Sequence, residues 1–155
     1  MRKMILKVII IAPASNLSGS SKSMLAALRS VPSYGVEYLV MLPDKGEIFD
    51  LIGDRHQVRI GGYCPLRKGT KNVFKYFLGQ IRGAVSLIKA VRNFNPDLIH
   101  VNSSTIIFPG LVALLSRTRI IYHIRETNLF YNKVLWNIYT KNISLFSNGI
   151  IGCAE

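Results

Sequence analysis

A chain of 155 residues with 49% hydrophobic and 18% charged residues is long enough for one buried core and too apolar to be disordered. It has no apolar run of the roughly 18 residues that a membrane-spanning helix needs, because the longest early run, Met4 to Ala14, is interrupted by Lys7 and Pro13. Lys and Arg number 20 against 8 Asp and Glu, and the resulting net charge of +12 points to polyanionic partners: nucleic acid, anionic lipid or phosphorylated ligands.

In chain order, Lys7 to Ala12 is a β-branched run stopped by Pro13 and reads as a strand buried on both faces. Arg2 and Lys3 before it imitate a signal-peptide start, but no small-residue cleavage motif follows. A turn-rich loop leads to a helix over Ser21 to Arg29, capped by Ser20 or Ser21. A second strand (Val36 to Leu42), a short helix (Glu47 to Ile52) and a third strand (His56 to Ile60) come next. A long helical pattern runs from about Lys71 to Phe94, with Phe74, Phe77, Leu78, Ile81, Ala84, Val85, Ile88 and Val91 as its expected core-facing side. Lys71, Lys75, Arg82 and Lys89 fall on the opposite side.

Asn95-Pro96 breaks that helix, since proline lacks an amide hydrogen and disfavours a helical residue before it. A fourth strand (Asp97 to Asn102), a helix capped by Ser103 or Ser104 and reaching about Leu115, and a fifth strand (Arg119 to His123) follow. A last helix (Leu129 to Phe146) and a sixth strand (Gly149 to Cys153) complete the pattern. Such alternation implies right-handed crossovers and a Rossmann-like, doubly wound parallel sheet of about six strands in a single α/β domain. The chain stops directly after a strand, which reads as a domain cut short.

Two cysteines, Cys64 and Cys153, have no metal-ligand spacing and cannot form a disulfide framework, so a reducing, cytosolic compartment is expected. No metal cluster, nucleophile elbow or paired-carboxylate pattern is present. Between Arg55 and Arg92 nine basic residues meet no acidic one, which marks the middle of the chain as the place to meet a polyanion. Two readings of its helix stand side by side: a solvated basic face over a core, or docking on an anionic membrane surface through Arg67, Lys68, Lys71, Lys75, Arg82 and Lys89.

In doubly wound sheets ligands sit at the carboxyl ends of the strands. After strand one lies Asn16-Leu17-Ser18-Gly19-Ser20-Ser21-Lys22, where a glycine opening a helix lets amides approach an anion. It is neither G-x-G-x-x-G nor a Walker A sequence, and on this pattern alone an ordinary capped turn is the better explanation. After strands four and five lie His100-Val101-Asn102-Ser103 and His123-Ile124-Arg125-Glu126. His123 can donate to a substrate hydroxyl or titrate near neutrality, and Arg125 can grip a phosphate or carboxylate, or pair with Glu126. His100, inside an apolar strand, is either a satisfied core histidine or part of this cleft.

Four segments in register resemble family-4, GT-B-fold glycosyltransferases. Ser18-Gly19-Ser20-Ser21-Lys22-Ser23-Met24 is similar to their glycine loop and first helix, and Asn95 to Ser103 to their NPDIIHxNS strand. Arg119 to Glu126 is similar to their YHIRE segment, and Gly149 to Glu155 to the IIxxSE strand that ends the acceptor-side half. The resemblance implies the N-terminal, acceptor-side domain of a retaining hexosyltransferase that moves a sugar from a nucleotide-sugar donor to an envelope or capsular glycan, or to a lipid-linked acceptor. It places His123 near the transferred sugar as the catalytic residue, and Ser18, Gly19 and Ser20 near the donor phosphate. His100, Asn102, Ser103, Arg125 and Glu126 would line the acceptor side of the cleft. No metal and no cofactor besides the donor is implied. The location it suggests is cytoplasmic, peripheral at the inner face of the cell membrane.

The departures are Ser18-Gly19 where a double glycine is common, Ala154 where serine is frequent, and the absence of the donor domain with its paired glutamates. A truncated product, an excised domain or one subunit of a split enzyme with a C-terminal-domain partner chain is therefore expected, inactive alone. A basic nucleic-acid-binding domain is the second reading, supported by composition but by no recognition motif, so no nucleic-acid partner is expected. A small nucleotide-binding α/β module of flavodoxin-like type ranks third, lacking acidic strand ends and a convincing phosphate loop.

Overall fold

The computed structural model describes residues 5–30, 35–52, 56–64, 73–125 and 133–152. Along them run β1 (Leu6–Ile11), α1 (Gly19–Ser30), β2 (Val36–Leu42), α2 (Glu47–Ile52), β3 (Gln57–Ile60), α3 (Val73–Phe94), β4 (Leu98–Val101), α4 (Phe108–Ser116), β5 (Arg119–Ile124), α5 (Lys133–Phe146) and β6 (Gly149–Gly152). The strands form one parallel sheet in the order β3-β2-β1-β4-β5-β6. This is the Rossmann-like α/β architecture that the alternation of elements implies. Cys153 and residues 129–132, at the ends of the last expected strand and helix, lie outside the described residues, as do Lys71 and Asn72 before α3.

The central strands are apolar throughout because both faces are covered. Ile9 and Ile11 of β1 join Met41, Ile99, Val101, Ile120 and Tyr122 in a cluster closed by Leu87 and Phe94 of α3, Val112 of α4 and Ile143 of α5. Val8, Ile10 and Ala12 face the other way and pack with Val40 and Leu42 against Met24, Leu25 and Leu28 of α1 and Ile48 and Ile52 of α2. One face of the sheet therefore belongs to α3, α4 and α5, the other to α1 and α2. The connections diverge between β1 and β4, which is the switch point where such sheets open a crevice.

Three local expectations are corrected. α1 begins at Gly19, two residues before Ser21, because the Ser18 carbonyl accepts the Lys22 N–H at 2.9 Å and closes the first turn. α4 begins at Phe108, with no side-chain cap at Ile107 and Pro109 in its first turn. Neither Ser103 nor Ser104 caps it: the Ser103 hydroxyl accepts the Thr105 N–H at 3.1 Å and lies 2.9 Å from the Thr105 hydroxyl, a turn that competes with helix. The Ile107 N–H is taken by Gln80 Oε1 at 3.1 Å, while Gln80 Nε2 donates to the Cys64 carbonyl at 2.8 Å.

The largest correction concerns α3. Its buried stripe is Tyr76, Gly79, Gln80, Gly83, Leu87, Ala90 and Phe94, and of the expected core side only Ala84, Ile88 and Val91 pack partly against the core. Phe74 is 78% exposed and Ile81 61%, with Phe77, Leu78 and Val85 also exposed. The physical reason is close approach. A Cβ at Gly79 would come within 2.7 Å of the Cys64 backbone nitrogen, and one at Gly83 within 2.5 Å of the Phe108 ring. Small residues let the segment carrying Tyr63 and Cys64 and the start of α4 dock there, so the larger apolar residues point outward. α3 ends where Asn95 turns left-handed (φ 50°), its N–H still bonded to the Val91 carbonyl.

Candidate functional site

At the carboxyl ends of β1, β4 and β5 the sequence-predicted residues converge on the α1 side of the sheet. Alternation along the strands puts them there: Ile99 and Val101 of β4, and Ile120 and Tyr122 of β5, belong to the α3–α5 core, so His100 and His123 face the opposite way. The two imidazoles lie nearly parallel, 10° apart with ring centroids at 5.9 Å. Arg125, just past β5, ties the cluster together. Its Nε donates to Asn102 Oδ1 at 2.9 Å, and its Nη2 reaches Ser23 Oγ of α1 at 3.0 Å and His123 Nδ1 at 3.3 Å.

A guanidinium can only donate, so Nδ1 of His123 is the acceptor and a neutral ring carries its proton on Nε2. Asn102 is buried and spans the gap to α1, its Nδ2 donating to the Ser20 carbonyl at 3.3 Å while its own N–H bonds the Ile11 carbonyl of β1. Asn102 thus fixes both the guanidinium and the first turn of α1. His100 is pushed down to about 4, first by burial, then by the positive charge that His123 and Arg125 place beside it. It is therefore neutral at pH 7.

The first loop is held open by contacts on its other side. The Ser15 hydroxyl bonds the Asp44 carboxylate, the Leu17 N–H bonds Glu47 at 3.0 Å, and the Ile48 N–H bonds the Ser15 carbonyl. Ser18 Oγ lies 2.9 Å from Ser20 Oγ and 3.0 Å from Ser21 Oγ. A Cβ at Gly19 would meet no atom within 4 Å, so among the described residues no close contact demands glycine there, and the space beside the start of α1 is open.

Of the predicted site residues, the structure brings Ser18, Gly19, Ser20, His100, Asn102, His123 and Arg125 to this junction. Ser103 is fully buried in the β4–α4 turn. Glu126, and Arg67, Lys68 and Lys71 of the basic set, lie outside the described residues. Lys75, Arg82 and Lys89 are exposed on α3, away from the junction. Among the described residues no group of three or more His, Cys, Asp or Glu side chains comes together as a metal site, and no helix is long and apolar enough to cross a membrane. Sequence reasoning missed Ser23, which holds Arg125 from α1; its signal was its place one turn into the helix after strand one. It also missed Gln80, an amide on the buried side of α3.

No family model matches the chain, and no curated protein is matched by it. Solved structures share its fold. MurG from Acinetobacter baumannii superposes with a TM-score of 0.69 at 12% identity, over 97% of this chain and 42% of that one. A putative UDP-N-acetylglucosamine 2-epimerase from Listeria monocytogenes gives 0.65 at 14% identity, over 96% and 39%. A glycosyltransferase from Rickettsia africae gives 0.59 at 13% identity, over 96% and 42%. The chain spans about two-fifths of the length of these structures. What is shared at such identities is the fold: the chain has the Rossmann-like architecture of one half of a GT-B protein.

Proposed function

We propose that this chain is the N-terminal, acceptor-side half of a retaining family-4 glycosyltransferase, moving a sugar from a nucleotide-sugar donor to an envelope or capsular glycan, or to a lipid-linked acceptor. The observation that carries the reading is the junction of Arg125 with Asn102, Ser23 and His123 at the switch point of a GT-B-type half. In it, His123 offers Nε2–H to a hydroxyl of the transferred sugar. The start of α1, with Ser18, Gly19 and Ser20, faces the donor phosphate, and Arg125 with Glu126 orients the acceptor.

A departing nucleotide diphosphate needs cations and amides aimed at its developing charge. In this reading those come from a donor-binding half, supplied by further residues of the same polypeptide or by a partner chain, and the described half does not catalyse by itself. The reading needs no metal or cofactor. It places the protein on the cytoplasmic side, peripheral at the inner membrane face, with Lys75, Arg82 and Lys89 of α3 toward anionic lipid. Nucleic acid is the weaker alternative, because exposed Phe74, Phe77 and Ile81 run beside those cations.

The test follows the imidazole signals of His100 and His123 by NMR during titration with UDP-, GDP- and ADP-sugars and with polyprenyl-phosphate sugars in detergent. The His123 signal is expected to move with at least one ligand of these two classes and to stop responding in Arg125→Ala. Silence of both rings to every ligand would sink the reading.

A further inference from the structure

The outward side of α3 separates two grooves that meet at Ile81. On the α4–α5 side a groove of about 340 Å³ is walled by Phe77, Ile81, Ala84, Leu111 and Phe146. On the β3 side a groove of about 410 Å³ is walled by Arg59, Arg82 and Lys89, with Ile60, Ile81 and Val85 between them. Ser86 holds Arg59 in place through a 2.9 Å bond to its Nε. Neither α3, α4 nor α5 carries an acidic residue, so nothing on these helices neutralises the three cations. The stripe Phe74, Leu78, Ile81 and Val85 lies between the grooves and is exposed along its length, as are Leu114 and Leu115 of α4.

We propose that α3 straddles an anionic phospholipid of the bilayer: its phosphate in the Arg59–Arg82–Lys89 groove, its acyl chain over Ile81 in the Phe77–Leu111–Phe146 groove. An apolar stripe flanked by cations is the pattern of a helix lying in a lipid interface, where apolar area and charge act together. A protein partner fits less well, because interface cores are depleted in lysine. This inference rests on the membrane placement proposed above and adds the site that would produce it.

The experiment is flotation of the whole chain with vesicles of phosphatidylcholine, alone or with one third phosphatidylglycerol. Binding to the mixed vesicles and its absence on phosphatidylcholine alone are expected. The pair Arg82→Glu with Lys89→Glu should weaken it at least about tenfold, each near-surface cation contributing on the order of 1 kcal/mol, while Lys22→Glu on α1 leaves it unchanged. Ile81→Ser should remove the part of the binding that survives high salt. Equal loss from Lys22→Glu and from the groove pair would overturn the site and leave membrane placement standing as general charge attraction. No vesicle binding at all would overturn both, as would an Ile81→Ser effect on self-association with none on flotation, which marks a protein interface. The readout contains no sugar donor, so it fails or succeeds independently of the histidine titration.

Discussion

The two faces of the sheet are built on opposite principles. On the α1–α2 face, the carboxyl ends of the strands gather directional bonds: Arg125 to Asn102, Ser23 and His123, and Asn102 to the Ser20 carbonyl. On the α3–α5 face, the helices cover the core with one side and expose a second apolar surface with the other, beside cations of helices that carry no acidic residue. Polar networks fix positions to fractions of an ångström and suit recognition of a particular ligand. Apolar area with diffuse charge fixes no single geometry and suits a fluid surface. One sheet thus carries two kinds of order, directional on one face and diffuse on the other.

The sharpest break in that contrast is within α3 itself. Leu87 is fully buried beneath the helix, whereas Ile81 lies on its outward side. Leu87→Ala is expected to cost about 2–5 kcal/mol through lost burial and the cavity left behind. Ile81→Ala should stay within about 0.5 kcal/mol, because it removes no packed contact of consequence. Urea unfolding of the two variants measures both. Similar losses would mean that α3 packs through the larger apolar residues after all.

The next effect belongs to the polar face. With His100 near 4 in the fold and about 6.5 when unfolded, the unfolded chain takes up its proton first as the pH falls. Stability present above about pH 6.5 is therefore lost on the way down to about pH 4, by about 3 kcal/mol. Its Nε2 is buried with no hydrogen-bond partner among the described residues. His100→Leu should flatten most of this acid limb in thermal melts recorded across that window. An unaltered limb would mean that other groups set it.

A smaller loss follows from Asn102→Ala, which leaves the Arg125 Nε and the Ser20 carbonyl without this partner. About 1–3 kcal/mol of destabilisation is expected, with the His123 resonance shifted because Arg125 is no longer aimed at its Nδ1. Destabilisation with an unmoved His123 signal would show that the guanidinium keeps its position without Asn102.

Much of this was legible beforehand. β2 and α2 fall where the sequence places them, because Val36 to Leu42 is a strongly β-patterned run closed by Pro43-Asp44-Lys45-Gly46, and Asn95-Pro96 ends α3 by unambiguous backbone chemistry. His123, Arg125 and Asn102 were readable because strand-end positions in a parallel sheet are known once the strands are known. The inner face of α3 was not. Counting large apolar residues selects Phe74, Phe77 and Ile81, and passes over Gly79, Gly83 and Gln80, whose burial depends on what another segment brings against them. The start of α4 was missed for a related reason. Ser103 looks like a cap in isolation, and only the turn with Thr105 and the Gln80 amide at Ile107 delay the helix.

The smallest expected effect probes the charged face directly. Lys89 and Arg92 sit one turn apart on α3, both exposed, with no acid on the helix to separate them. Replacing Lys89 by Gln should relieve this repulsion and stabilise the chain by about 0.3 kcal/mol at low ionic strength. The gain should fade as the screening length shortens from about 30 Å at 0.01 M salt to about 3 Å at 1 M. The same substitution should weaken binding to anionic vesicles, because one wall of the β3-side groove loses its charge. Opposite signs in the two measurements are the signature of a charge kept for a partner at the expense of the fold. A loss of stability instead would show that Lys89 is held by a contact within the protein, and would remove it from the lipid-facing set.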